Sequence, residues 1–355
     1  MSLHLKKGVL GYFELTMSHS KQFKPPTIYD VATEAGVSKS LVSLVLRGEA
    51  GVSETRRDAV QTAIEKLGYR PSRFAQQLAG STSRTIGVVI TDYKNLSYIG
   101  FLKGLREILD DAGYQVIISD MHRSQNFVED PIDAFTAMKV DGLVIATELG
   151  AQRERQLNIP IVMIGQRETV MPKSDMVFND DFKGTQLAIE HLLSFGHSHI
   201  AHLTGVGGIA FNRRKAYSGL MVQNSLEDMV FGAGQPTTEI GGYMGALELL
   251  KSGKKVTAIF AANDYMAAGA WSALRENGLS VPNDISLIGY DNAPIASDFL
   301  LKISTIDEQG IPVGRETAAL LLERIGNPGI HKEKSVLITP TLVSRMTVAT
   351  PKNGK

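Results

Sequence analysis

Residues 27–48 read TIYDVATEAGVSKSLVSLVLRG, and the spacing predicts two short helices joined by a tight turn. Thr27 precedes IYDVATEA and has Asp30 three residues on, an imperfect form of the reciprocal N-terminal capping pair. Ala32 is small where two helices must approach, Gly36 supplies the turn, and the branched Val42 locks the second helix in place. Ser38 is placed to cap that second helix. Val31, Val37, Leu41, Val42 and Val45 give the segment a core. A third helix is expected from Ser53 in VSETRRDAVQTAIEKLGY, with Ala59, Val60, Ala63, Ile64 and Leu67 at helical spacing. Taken alone, this segment fits either a helix-turn-helix that enters a DNA groove or a generic three-helix domain for protein contacts.

The remainder alternates short β-branched runs with amphipathic helical patterns. The strand candidates are TIGVVIT (85–91), YQVIIS (114–119), DGLVIAT (141–147), IPIVMIG (159–165), HIAHLT (199–204), VTAIFA (256–261) and ISLIGY (285–290). That alternation predicts parallel sheets with crossover helices. There are too many strands for one five-stranded unit, so two similar α/β lobes are expected. The formal net charge over 355 residues is zero, so any affinity for nucleic acid must come from a local patch. The absence of cysteine removes disulfide frameworks, thiolate catalysis and zinc–cysteine sites. In HLKKGVLGYFELTM the apolar patch Gly8–Phe13 is too short for a signal core and meets Glu14. Residues 1–24 are therefore expected to be a disordered leader or an expression remnant, with Met17 as an alternative start. No run approaches the length of a membrane span, and a cytoplasmic protein is expected.

The segment YRPSRFAQQLAG, between the third helix and the first strand, brings the pieces together. TIYDVATEAGVSKSLVSLVLRG, VSETRRDAV, LGYRPSRFAQQLAG and IGVVI occur in the order seen in bacterial regulators. GLVIA, HLLSFGHSHIA, ANDYMAAGA, VPNDISLIGYDN, STID and PTLVSR follow in turn. On these motifs, from about residue 26 to 347, the chain resembles the lactose-repressor/galactose-repressor family of transcription regulators. The resemblance implies an all-α helix-turn-helix DNA-binding domain (25–70), then a hinge helix and linker (71–84). It implies next an α/β core (85–347) of two doubly wound parallel-sheet lobes, like a periplasmic binding protein. Three crossings are expected near Asn179, Asp307 and Lys334, giving an N-lobe of about 85–178 and 308–333 and a C-lobe of about 180–306 and 335–347. The implied function is repression of transcription, with double-stranded operator DNA, a small-molecule effector and a second copy of the chain as partners. No heptad tail follows TLVSRMTVATPKNGK, so a homodimer is expected rather than a tetramer.

The resemblance also assigns residues. Lys39, Ser40 and Leu44 take the positions that touch base edges. Lysine can donate to guanine, whereas Leu44 stands where many relatives carry arginine and offers only apolar surface, for instance to a thymine methyl. With Leu41, Val42 and Val45 filling the core side, Leu44 is expected to face outward and change the preferred operator base. Leu78, with Ala75, takes the minor-groove wedge position of the hinge helix. Thr27, Ser38, Ser43, Arg56, Arg70, Ser72 and Arg73 are candidates for contacts to the DNA backbone.

Tyr98, Arg213, Asn263 and Asp291 are the candidate effector ligands: a guanidinium, an amide and a carboxylate can share the hydroxyls of a polyol. Arg214 is the alternative arginine, and Asp264 and Asn292 are alternative structural caps. Two departures leave the ligand class open. The first loop reads Asn95-Leu96-Ser97-Tyr98, and Thr237, in the shortened segment VFGAGQPTTE, stands where several relatives carry a stacking aromatic. A sugar or related polar metabolite is expected, with no cofactor. Gly205–Ala210 matches a G-x-G-x-x-A nucleotide pattern, but no strand ending in an acid follows at the required distance. His197, His199 and His202 suggest a metal, yet strand alternation would send His199 and His202 to opposite faces. Structural roles are expected for these histidines. Neither a complete phosphate loop nor a poised acid/base pair is present, so the chain is not expected to be an enzyme.

Overall fold

A computed structural model describes residues 25–46, 48–49, 51–70, 82–121, 130–149, 157–167, 169–329 and 332–352. The chain divides into two compact units between Ser81 and Thr82.

The first unit contains α1 (Ile28–Glu34), α2 (Lys39–Leu46) and α3 (Glu54–Leu67). Both halves of the cap on α1 are made. Thr27 Oγ1 accepts from the Asp30 amide, and the Asp30 carboxylate accepts from the Thr27 amide at 2.7 Å. The shorter aspartate therefore closes a box usually written with glutamate. Ser38 Oγ accepts from the Leu41 amide at 3.3 Å and starts α2. The turn between them passes through Gly36 at φ +64°, a backbone region that costs glycine little. Val31, Ala32, Val42, Val60, Ala63 and Tyr69 form the core, with Leu41, Val45 and Leu67 packed against it.

The second unit holds two six-stranded sheets. The first contains β1 (Thr85–Ile90), β2 (Gln115–Asp120), β3 (Gly142–Ala146), β4 (Ile161–Ile164), β5 (Asp175–Asn179) and β11 (Ser335–Ile338), ordered β11-β5-β4-β3-β1-β2. Its helices are α4 (Tyr98–Asp111), α5 (Pro131–Ala137) and α10 (Gly310–Gly326). The second sheet contains β6 (Ile200–Leu203), β7 (Val230–Phe231), β8 (Ala258–Ala261), β9 (Ser286–Tyr290), β10 (Ser304–Asp307) and β12 (Thr341–Val343), ordered β12-β10-β9-β8-β6-β7. With it go α6 (Asp181–Ser194), α7 (Gly208–Gln223), α8 (Glu239–Lys251) and α9 (Asp264–Glu276). Every strand pair is parallel except β10 with β12. Among the described residues no helix is long and apolar enough to cross a membrane.

The chain passes between lobes after Asn179, where β5 gives way to α6, and after Asp307, where β10 gives way to α10. The third passage differs from the sequence expectation of Lys334. Residues Ser335–Ile338 pair in register with Met176–Asn179, so they belong to the N-lobe, and the crossing lies between Ile338 and Thr341. The cause is local. The Lys334 amide donates to buried Asp175 at 2.7 Å and aligns β11 beside β5. Pro340 then stands at the passage, and proline has no amide to continue a ladder. The three passages are tied together. The Asn179 side-chain amide donates to the Glu308 carbonyl, and Gln309 Nε2 donates to Thr341 Oγ1 at 2.9 Å.

Within the N-lobe, α4 and α10 cross at glycines. A Cβ on Gly104 would lie 2.1 Å from the Ile311 carbonyl oxygen, and one on Gly314 would lie 2.1 Å from that of Phe101. Backbone cannot yield cheaply there. Gly104→Ala is expected to lower stability by about 1–3 kcal/mol through overpacking, measured by urea unfolding; an unchanged midpoint would contradict this crossing.

Candidate functional site

The C-lobe strands end in a set of polar groups directed at the space between the lobes. At the end of β9, Asp291 and Asn292 take φ +96° and +52°. Two successive residues of positive φ turn the chain sharply and swing the Asp291 carboxylate toward α7. At the end of β8, Asn263 Oδ1 accepts from the Met266 amide at 2.8 Å and caps α9, while its Nδ2 donates to the Thr237 carbonyl at 3.0 Å. Asp181 is the first residue of α6, immediately past the first crossing.

Arg213, on α7, is the centre of this set, and its side chain is about 5% exposed. Nε donates to Asp181 at 3.0 Å, and Nη1 donates to Asp291 at 2.9 Å and to the Ala262 carbonyl at 2.7 Å. Nη2 lies 3.7 Å from Glu308 Oε2. The guanidinium also stacks over Tyr290, 3.5 Å from the ring centroid. Burial alone would favour loss of its proton. The carboxylates of Asp291, Asp181 and Glu308 reverse that tendency and keep it cationic. The acids respond oppositely. Burial raises Asp291 against the pull of Arg213, and raises Glu308 well above the usual carboxylate range with Asp291 adding to it. Deeper still, Asp264 is also raised well above its range by burial, although it accepts from Thr305 Oγ1 and the Ala293 amide.

The N-lobe contributes hydroxyls and one ionic pair. Tyr98, opening α4, donates to the Ala146 carbonyl at 2.8 Å and shares a 3.1 Å hydrogen bond with Thr91, which in turn reaches Thr147 at 3.2 Å. Glu148 accepts from the Gly208 amide at the start of α7 at 3.3 Å, and Arg167 Nη1 lies 3.8 Å from the same Oε1. Asn212 donates to Gln166 at 3.3 Å, a second bond across the lobes. The loop Gly205–Ala210, with its nucleotide-like pattern, thus directs an amide at a carboxylate of the opposite lobe.

Of the four candidate effector residues, Arg213 and Asp291 meet directly, Asn263 lies at the neighbouring strand end, and Tyr98 belongs to the facing lobe. Arg214 lies over the Phe211 ring. Sequence reasoning missed Asp181, Glu308, Tyr290 and Glu148. The acids had one signal, their position next to the expected crossings at Asn179 and Asp307. His197 and His202 are pinned by the fold, whereas His199 is exposed and, among the described residues, its side chain bonds only neighbouring Ser198. His197 bonds Thr257, Ser286 and the Ala349 carbonyl. His202 is stacked between Tyr217 and Phe260, and burial pushes it down to about 3.

In the first unit, Ser38, Lys39 and Ser40 are exposed together at the start of α2. Lys39 Nζ donates to Tyr29 Oη at 3.3 Å and lies 4.9 Å from the ring centroid, so exposed Tyr29 positions it, a partner the sequence reading lacked. Leu44 is half-buried and is not among the apolar residues packed on the small domain's core. Ser43 is half-buried, Arg56 and Arg70 are exposed, and Thr27 is held in the cap of α1. Ser72, Arg73, Ala75 and Leu78 lie outside the described residues.

The raised acids fix the sign of a pH effect. The folded chain holds protons that the unfolded chain releases above ordinary carboxylate values. Their contribution is therefore present at low pH and is lost as pH rises from there through the raised values. Melting temperature is expected to fall as pH rises above the ordinary carboxylate range, and Glu308→Gln, which cannot titrate, should flatten the slope. Equal slopes for the two proteins in thermal melts would contradict the burial of Glu308.

Comparison with known proteins matches both units. Residues 27–72 match the model of bacterial regulatory proteins of the lacI family, and residues 189–348 match that of a periplasmic binding protein-like domain. The HTH-type transcriptional repressor PurR of Vibrio campbellii is 32% identical over 91% of this chain and 98% of its own. The lactose operon repressor of Escherichia coli strain K12 is 30% identical over 92% of each chain. The crystal structure of the lac repressor dimer bound to operator and the anti-inducer ONPF aligns with a TM-score of 0.78 at 29% identity, covering 92% of this chain and all of that one. The chain belongs to the lacI family of bacterial regulatory proteins.

Proposed function

We propose that this protein is a cytoplasmic homodimeric repressor that binds a near-palindromic operator and releases or grips it according to a small polar effector held between the lobes of its core. The observation that carries this reading is the pairing of two sites in one chain. One is a helix-turn-helix whose second helix opens on exposed Ser38, Lys39 and Ser40. The other is an interlobe cluster in which Arg213 on α7 meets Asp291 at the end of β9, with Asn263 at the neighbouring end of β8. Ligands of open α/β sheets bind at such strand ends.

Lys39, Ser40 and Leu44 read base edges in this proposal. Lys39 leaves Tyr29 for guanine O6 or N7, and Leu44 offers a methyl-sized contact where a hydrogen-bonding side chain would select guanine. Thr27, Ser38, Ser43, Arg56 and Arg70, with Ser72 and Arg73, fix register on the phosphates. Leu78 and Ala75 enter the minor groove. A second copy of the chain is the partner that covers Phe299 and Leu300. These two consecutive C-lobe residues are 91% and 88% exposed, and adjacent exposed apolar side chains fit a protein–protein contact. The effector acts by differential affinity for two arrangements of the lobes, which makes the coupling reciprocal between ligand and DNA.

Selection of binding sites from random duplexes tests this reading. The wild type is expected to enrich one near-palindromic consensus. Leu44→Arg should change one base position per half-site, with discrimination of about 1–3 kcal/mol at that position. The same consensus from both proteins would contradict the role of Leu44, and no enrichment by the wild type would contradict operator binding.

A further inference from the structure

Arg167 and Arg213 both reach the space between the lobes, but they are engaged differently. Arg213 gives Nε to Asp181, and Nη1 to Asp291 and the Ala262 carbonyl. Arg167, just past the end of β4, gives only Nε, which donates to the Ile164 carbonyl at 2.7 Å. Its side chain is 8% exposed. Nη1 lies 3.8 Å from Glu148 Oε1, beyond hydrogen-bond range, and among the described residues neither Nη1 nor Nη2 makes a hydrogen bond. A guanidinium this enclosed ordinarily finds acceptors for its fork. The unpaired fork faces the opposite lobe. At Gly165, of φ +77°, a Cβ would lie 3.1 Å from Ile209 Cδ1 and 3.4 Å from Arg167 Nη2, so the guanidinium and the second residue of α7 approach one point from opposite sides. Gly207, the N-cap of α7, has no side chain to close the helix, and the Ile209 and Ala210 amides make no hydrogen bond among the described residues. The open first turn of a helix favours an anion. One carboxylate of the chain already stands there: Glu148 accepts from the Gly208 amide at a long 3.3 Å. Its side chain is 34% exposed, so it can swing into water while Arg167, held through Nε, stays in place.

We propose that the effector carries a carboxylate or phosphate group that takes the fork of Arg167 and the first amides of α7, displacing Glu148, the chain's own carboxylate at that point. The proposal rests on the reading that the effector lies between the lobes. Three physical arguments favour an oxyanion. The two terminal nitrogens of a guanidinium donate in parallel, which two oxygens of a carboxylate or phosphate match, and such charge-assisted bonds are stronger than those to a hydroxyl. The donors here already draw in a carboxylate from the chain, whereas a cationic group would meet Arg167 and a helix N-terminus with like charge. The acids around Arg213 offer reduced opposition, because burial raises Asp291 and raises Glu308 well above the usual carboxylate range. Displacement also has a consequence for the lobes. Glu148 joins them through Gly208, so a ligand that replaces it changes an interlobe bond and supplies the differential contact a switch requires.

The test uses the full chain and the variants Arg167→Gln, Glu148→Gln and Asp291→Asn; asparagine tolerates the positive φ at position 291. Each is screened by thermal shift, near neutral pH and at fixed ionic strength, against matched sets: a short-chain polyol, its phosphate monoester and the carboxylic acid of the same carbon skeleton. The expected result is that an anionic member stabilises the wild type more than its polyol does, and which anion succeeds separates phosphate from carboxylate. Its affinity should fall at least about tenfold in Arg167→Gln. It should rise in Glu148→Gln, which removes the competing charge and keeps the shape. Because the two variants move affinity in opposite directions, Glu148→Gln still decides the matter should Arg167→Gln fail to fold. The proposal is overturned if no anion outperforms its polyol on the wild type, if Arg167→Gln binds anions as well as wild type, or if Glu148→Gln binds them no better. Polyols that stabilise the wild type and lose their effect in Asp291→Asn alone would overturn the oxyanion while leaving the cleft as the effector site. Stabilising compounds indifferent to all three substitutions would overturn the cleft reading itself.

Discussion

The buried guanidinium of Arg213 is the constraint on which the core depends. It draws Asp181 from the start of α6, Asp291 from the end of β9 and Glu308 from the second crossing onto one point. Each of these acids would be costly in the interior without it. Removing one partner of such a buried set typically costs about 3–5 kcal/mol, because the remaining charges lose their compensation. Stability is therefore weak evidence for why the arrangement exists. Its place at the strand ends between the lobes, where ligands of open α/β sheets bind, is the stronger guide to its role.

The position of the cluster gives it leverage. Two of its acids sit next to lobe crossings, Asp181 two residues past Asn179 and Glu308 one past Asp307. The crossings are joined by the Asn179–Glu308 and Gln309–Thr341 bonds. A ligand placed against this cluster would act on the strand ends and on the crossing segments together. The bonds from Gly208 to Glu148 and from Asn212 to Gln166 span the same gap. A ligand that enters must replace or accommodate them, and this supplies the differential contact that a two-state switch requires.

Much of this was legible in the sequence, and the exceptions have physical causes. Strands β1, β3, β4, β8 and β9 announced themselves as β-branched runs because both faces of a parallel strand are covered. β5 did not, since DMVFN opens on Asp175, a residue that reads as loop. Its burial is possible only because Arg324, nearly 150 residues later, forks onto it through bonds of 2.6 and 2.7 Å. The same aspartate draws β11 into the N-lobe and moves the third crossing past Ile338, a long-range effect that local pattern does not carry. Arg213 and Asp291 could be named from motifs. Glu308 could not be given a role, because its chemistry comes from three residues distant in sequence. On the DNA side, Ser38–Ser40 and the cap at Thr27 follow from local rules, whereas the Tyr29–Lys39 pair joins successive helices and needs the folded turn.

The central claim is that occupancy of the cleft sets the grip on DNA. Its most direct test is fluorescence anisotropy of a labelled operator duplex, recovered by selection, titrated with the full chain in the presence and absence of a saturating cleft ligand. A coupling of ordinary size predicts a change in operator Kd of about fivefold to 150-fold, matched by an equal change in ligand affinity when operator is present. An operator Kd that stays the same with the cleft filled and empty would contradict the account.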